Sequence, residues 1–129
     1  MDIKDKLKGS CHCGKVVFEV QLTNGFDDLS RCNCSICARR GAVVTPVPLN
    51  SFRILKGKEN LSLYQFNTNT AEHYFCSTCG IYTHHKMRSN PNMYSINVAC
   101  LDDVNPFEFR GVLTNDGINH SCDRKNGSI

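Results

Sequence analysis

Cys11-His12-Cys13-Gly14-Lys15-Val16-Val17-Phe18-Glu19-Val20-Gln21-Leu22 joins a tight cysteine pair to a strictly alternating segment. Val16, Phe18, Val20 and Leu22 fall on one face, Val17, Glu19 and Gln21 on the other, ahead of the turn signal Asn24-Gly25. A period of two built from β-branched and aromatic residues predicts a half-buried strand over residues 15–22. Gly14, directly after the second cysteine, permits the tight turn that brings paired sulfurs to one metal. The stretch therefore predicts a β protein whose loops bind metal.

Working outward, the same pattern recurs. Further strands are expected at residues 42–47, 52–55, 61–66, 73–75, 81–86, 93–98 and 107–110, separated by Pro, Gly, Asn and Asp. Helix is confined to a turn after Cys34 through Arg40. Pro46 and Pro48 cannot donate to a ladder and restrict their segment to a sheet edge. Cys100, after Val98-Ala99 at a strand end, reads as a buried small hydrophobe, and residues 123–129 as a frayed tail. With 129 residues, 40% of them hydrophobic, and no repeat or linker, the chain is expected to form a single domain over residues 1–129 with a modest core.

A charged fraction of 21% and a net charge of +3 describe an ordinary surface and argue against a dedicated nucleic-acid binder. The start, Met1-Asp2-Ile3-Lys4-Asp5-Lys6-Leu7-Lys8, lacks the apolar run of a secretory signal, and no stretch approaches the roughly 18 apolar residues of a membrane span. A cytoplasmic location is expected. There thiols stay reduced, so nine cysteines, an odd number, point to metal rather than to disulfides.

Seven of the nine form three clusters: Cys11-His12-Cys13, Cys32-Asn33-Cys34-Ser35-Ile36-Cys37 and Cys76-Ser77-Thr78-Cys79-Gly80. Two cysteines with two residues between them can both place sulfur about 2.3 Å from one zinc, and a closed site takes four such ligands. The simplest partition is four plus three. Cys11, Cys13, Cys76 and Cys79 would close one Zn2+ site, tying the N-terminal region to the middle of the chain. Cys32, Cys34 and Cys37 would hold a second, with a fourth position free for water or a substrate thiolate. Two other arrangements stay open on spacing alone. Cys100 or a histidine can fill the fourth position, making both sites structural, or Cys34 and Cys37 can pair with Cys76 and Cys79 as in a zinc ribbon and leave Cys11, Cys13 and Cys32 idle.

The ordered motifs Gly9-Ser10-Cys11-His12-Cys13-Gly14-Lys15-Val16, Cys32-Asn33-Cys34-Ser35-Ile36-Cys37-Ala38-Arg39-Arg40-Gly41, His73-Tyr74-Phe75-Cys76-Ser77-Thr78-Cys79-Gly80 and Asn97-Val98-Ala99-Cys100-Leu101-Asp102-Asp103 resemble those of the glutathione-dependent formaldehyde-activating enzyme family, which also contains centromere protein V. The resemblance implies a mainly β fold of coiled antiparallel sheets with zinc-binding loops, similar to the Mss-four zinc protein. It implies the four-plus-three partition, with Cys32, Cys34 and Cys37 on a catalytic zinc. It also implies a carbon-sulfur lyase reaction in which a small thiol, glutathione, adds to a small aldehyde, formaldehyde, giving S-hydroxymethylglutathione. A non-catalytic zinc module with two structural sites, binding a small thiol or a macromolecule, is the alternative.

Candidate substrate contacts lie in residues 82–92, where two histidines, two cations and two asparagine amides can hold the carboxylates of a glutathione-like ligand. His85 and Arg88 are the leading candidates. If residues 84–88 are extended, His84, Lys86 and Arg88 share one face and His85 the other. Arg39 and Arg40, beside the cysteine triplet, can attract an anion, and Arg39 joins the substrate-binding set. His12 and His73 are expected beside the ligands rather than among them. His120 and Cys122 lie where the resemblance is loose.

Overall fold

The computed structural model describes residues 6–118, so His120, Cys122 and residues 123–129 fall outside it. Its elements are β1 (Lys6–Ser10), β2 (Val17–Gln21), β3 (Ser30–Cys32), α1 (Ser35–Arg40), β4 (Val44–Pro48), β5 (Phe52–Lys56), β6 (Leu61–Tyr64), β7 (Glu72–Cys76), β8 (Tyr82–Lys86), β9 (Met93–Asn97) and β10 (Leu113–Asn115), with four short 3-10 turns. They form a three-stranded sheet, β1-β2-β5, and a seven-stranded sheet, β10-β3-β4-β9-β8-β7-β6. The fold is mainly β, as expected. Pairing is antiparallel throughout except between β10 and β3, which run parallel. No helix among the described residues is long and apolar enough to cross a membrane.

The alternation that opened the sequence sets the core. Val16, Phe18, Val20 and Leu22 are all buried. Phe18, Val20 and Leu22 meet Val43, Val47, Ile96, Val98 and Leu101 between the two sheets, while Val16 packs with Cys11 and Cys76 in a second cluster around the sulfurs. One strand thus joins the hydrophobic core to a metal-type site, and burying it stabilises both.

Three departures from the sequence reading have local causes. The expected strand at residues 107–110 is instead a 3-10 turn, Pro106–Glu108: Pro106 fixes the first φ and the Asn105 side chain accepts from Phe107 N at 3.0 Å. β3 pairs with β10 over three residues and with β4 at one. Strands β1, β3 and β10 were not anticipated, since they are short and carry little or no apolar alternation, and only their neighbours make them strands. β4, expected at an edge because of Pro46 and Pro48, lies between β3 and β9. Yet it pairs with β9 over five residues and with β3 only at Ser30↔Val44, so the prolines face a nearly unpaired side.

Candidate metal and substrate site

The fold brings Cys11, Cys13, Cys76 and Cys79 together, with their sulfurs within 4.8 Å of one another. Cys11 Sγ and Cys76 Sγ each lie 3.6 Å from Cys13 Sγ. A tetrahedron with metal-sulfur arms of about 2.3 Å has edges of about 3.8 Å, so this group suits a closed thiolate site. Gly80, at φ 76°, makes the turn after Cys79 in a region costly for other residues. The turns aim N–H groups at sulfur: Val16 N donates to Cys11 Sγ at 3.3 Å, and Thr78 N, Cys79 N and Asn60 Nδ2 donate to Cys76 Sγ at 3.4, 3.5 and 3.2 Å. The Cys79 N–H is the strongest influence drawing the Cys76 thiol down to about 6, against its burial and with help from the Thr78 N–H.

Cys32, Cys34 and Cys37 form the second group, again within 4.8 Å. Cys32 ends β3, Cys34 precedes α1 in extended conformation, and Cys37 sits in the helix, with Ala38 N donating to Cys34 O and Gly41 N to Cys37 O. Hydrogen bonds from Cys32 and then Cys37 hold Cys34 far below the ordinary thiol range, against burial. The same bonds raise the other two: contact with Cys34 pushes Cys32 up, and contact with Cys32 and Cys34 pushes Cys37 well up. Three sulfurs this close cannot all ionise unless a cation offsets their charge, and a soft thiolate set of this kind suits zinc. Among the described residues neither Cys100 nor any histidine joins a group, and Cys34 and Cys37 are not assembled with Cys76 and Cys79. Cys100 is buried in the main core, donating from Sγ to Tyr82 O at 3.5 Å, and burial pushes its thiol up to about 12.

The triad borders a cavity of about 660 Å³, within the roughly 300–1,000 Å³ usual for small-molecule sites. Its polar lining includes Arg40, His73, Tyr82, His85, Arg88 and Ser95, together with the carboxylates of Asp27, Asp28 and Asp116. Arg40 Nη2 lies 2.7 Å from His73 Nδ1, and its guanidinium stacks 3.8 Å over the Tyr82 ring. A guanidinium only donates, so His73 Nδ1 accepts and the ring proton of the neutral imidazole sits on Nε2. Burial, then Arg40, lowers His73 to about 4. Tyr82 Oη and His85 Nδ1 are 2.6 Å apart, the His73 and His85 rings 5.0 Å apart, and burial takes His85 down to about 3. Both histidines are neutral near pH 7. Burial drives the Tyr82 phenol up, so it keeps its proton.

Strand geometry agrees with one expectation, His84 and His85 on opposite sides, and corrects another. Tyr74 pairs with His84 but Phe75 with Tyr82, leaving Thr83 as an extra residue in β8. This bulge turns Tyr82 to the side of His85. His84 goes to the opposite side, among Phe52, Tyr74 and Tyr94, at centroid distances of 4.3, 4.8 and 5.2 Å. Arg88, expected opposite His85, lines the same cavity, because β8 ends at Lys86 and the alternation ends with it. Arg88 Nη2 donates to Gly117 O at 3.0 Å.

Arg39 does not line the cavity: it is exposed and donates to Ser35 O at 2.7 Å. Its neighbour Arg40 does, being three residues after Cys37 and four after Ile36 on one helical face. That spacing was the signal available in the sequence. His12 is exposed and His73 buried. Neither Asn33 nor Gly117 was singled out, yet Asn33 Oδ1 accepts from Gly117 N at 2.7 Å.

A family model described as glutathione-dependent formaldehyde-activating enzyme matches residues 6–112. A Halomonas elongata protein carrying that family description is 35% identical over 81 residues, 57% of this chain and 51% of the relative. The chain thus spans about half the length of that curated relative. A crystal structure of a Rhodobacter sphaeroides protein is 56% identical, with a TM-score of 0.82 over 84% of this chain and 99% of the other.

Proposed function

The chain belongs to the glutathione-dependent formaldehyde-activating enzyme family, and from that premise we propose that it joins a small thiol such as glutathione to a small aldehyde beside Cys32, Cys34 and Cys37. The observation that carries this reading is the placement of a three-sulfur group, one sulfur short of a closed site, at the wall of a ligand-sized cavity. Cys11, Cys13, Cys76 and Cys79 would hold a structural zinc, and Cys32, Cys34 and Cys37 a second one. When bound by the triad, zinc would supply a pull on a substrate thiol that favours its ionised form.

The reaction forms one carbon-sulfur bond. The thiol sulfur attacks the aldehyde carbon, the carbonyl π pair moves to oxygen, and the thiol proton ends on that oxygen, giving a hydroxymethyl thioether. His85 and Tyr82, hydrogen-bonded to each other at 2.6 Å on the cavity wall, would relay that proton. Arg40 and Arg88 on the wall would meet the carboxylates of a glutathione-like thiol, and Asp27, Asp28 and Asp116 on the same lining its ammonium group.

The test is exchange NMR of glutathione and formaldehyde with and without protein. Wild type should accelerate adduct formation and Cys34→Ser should not. A rate unchanged by protein, or equal for the two proteins, would overturn the enzymatic reading in favour of a zinc module that is not a catalyst.

A further inference from the structure

Residues 113–118 lie against the cysteine triad in a way the thiol chemistry alone does not require. β10 runs parallel to β3 and brings Asn115 beside Cys32. Asn33 N donates to Asn115 O at 3.1 Å. Beyond the strand, the Asn33 carboxamide oxygen accepts from Gly117 N at 2.7 Å and from Ile118 N at 3.2 Å, while Arg88 holds Gly117 O. Gly117 is buried although residues 113–116 and 118 around it are exposed. A Cβ built on Gly117 would overlap Cys32 Sγ and stand 2.8 Å from Cys34 Cβ. The backbone there touches the sulfur ligand set directly, an approach open only to glycine.

We propose that Asn33 and Gly117 are positioning residues: a clasp that fixes Cys32 and Cys34 in metal-holding geometry and makes retention of metal by the triad depend on residues 113–118. Asn33 occupies the middle of Cys32-Asn33-Cys34, so its two hydrogen bonds act on the loop that carries two of the three sulfurs. The four-cysteine group has no such clasp from this segment. Its loops are held by Val16, Thr78, Cys79 and Asn60 instead. Disturbing the clasp should therefore loosen one group and spare the other, whatever reaction the cavity performs.

The experiment uses the full-length, zinc-loaded protein with iodoacetamide as probe and peptide-resolved mass spectrometry as readout, alongside zinc release to a chromogenic chelator. Gly117→Ala is expected to raise the alkylation rate of Cys32, Cys34 and Cys37 about tenfold, the change that about 1.4 kcal/mol of opening free energy carries. Cys11, Cys13, Cys76 and Cys79 should stay at the wild-type rate, and only part of the zinc should leave faster. Asn33→Ala, which adds no bulk, should act in the same direction. Asn33→Asp, which keeps an oxygen acceptor for Gly117 N, should remain near wild type. Thr114→Ala, an exposed change on the same strand, should do nothing. Unchanged triad labelling in Gly117→Ala and Asn33→Ala would overturn the proposal, as would an equal rise in both groups, which marks general loosening.

Discussion

His84 offers a stability test whose size follows from burial. Its ring is 3% exposed, stacks on Tyr74 and packs against Phe52 and Tyr94, and its Nδ1 lies 2.8 Å from Thr83 Oγ1. Burial alone takes its pKa down from 6.5 to about 3. A folded-state pKa below the unfolded value means that the unfolded chain binds the extra proton. The stabilisation is complete above the unfolded pKa and is lost as pH falls through the window from 6.5 to about 3. At pH 5 the folded ring is still neutral while the unfolded one is about 97% protonated, so the loss relative to pH 8 is about 2 kcal/mol from this residue. Replacing His84 with Phe keeps an aromatic ring in the box and removes the titration. Urea unfolding of the zinc-loaded protein at pH 8 and pH 5 gives the pH-dependent loss for each chain, and contributions of the cysteines and metal cancel in the comparison. The wild type should lose about 2 kcal/mol more than His84→Phe between the two pH values. A difference below about 0.5 kcal/mol would refute the claim that His84 is held neutral by burial. The outcome bears on the site, because the same box anchors the strand that carries His85 on its other side.

Two further outcomes follow from the wall and the sulfurs. Arg40→Gln removes the charge beside His73 but leaves its burial. Nitrogen-15 NMR should then find the His73 pKa above about 4 yet below 6.5, and an unmoved value would deny the contact its electrostatic role. Elemental analysis before and after mild chelation should find one tightly held and one labile zinc per chain, consistent with four sulfurs in one group and three in the other. Two equally resistant ions would favour a pair of structural sites.

Much of this architecture was legible because it depends on short-range periodicity. The Val16, Phe18, Val20 and Leu22 alternation sorts itself onto the core face in any sheet that buries it. Four plus three was the simplest partition of the clustered cysteines, but spacing left the ribbon pairing of Cys34 and Cys37 with Cys76 and Cys79 open, and it is the fold that assembles the two groups. Where prediction failed, the deciding term was local conformation that residue type alone does not give. A proline and a capping asparagine converted residues 106–108 into a 3-10 turn. Arg39 was preferred to Arg40 because both are cations beside the triad, and only the helical phase of α1 separates an exposed one from one on the cavity wall.

The sequence by itself determined a mainly β protein, the strand that carries the core, and three clusters of thiols suited to zinc, because alternation and ligand spacing act over a few residues. Only the tertiary structure decided what faces the triad. The bulge at Thr83 moves Tyr82 to the side of His85, the end of β8 releases Arg88 into the same cavity, and the parallel pairing of β10 with β3 seats Gly117 against Cys32 and Cys34. Those outcomes depend on register between segments as far as 84 residues apart, set by packing of whole strands against one another.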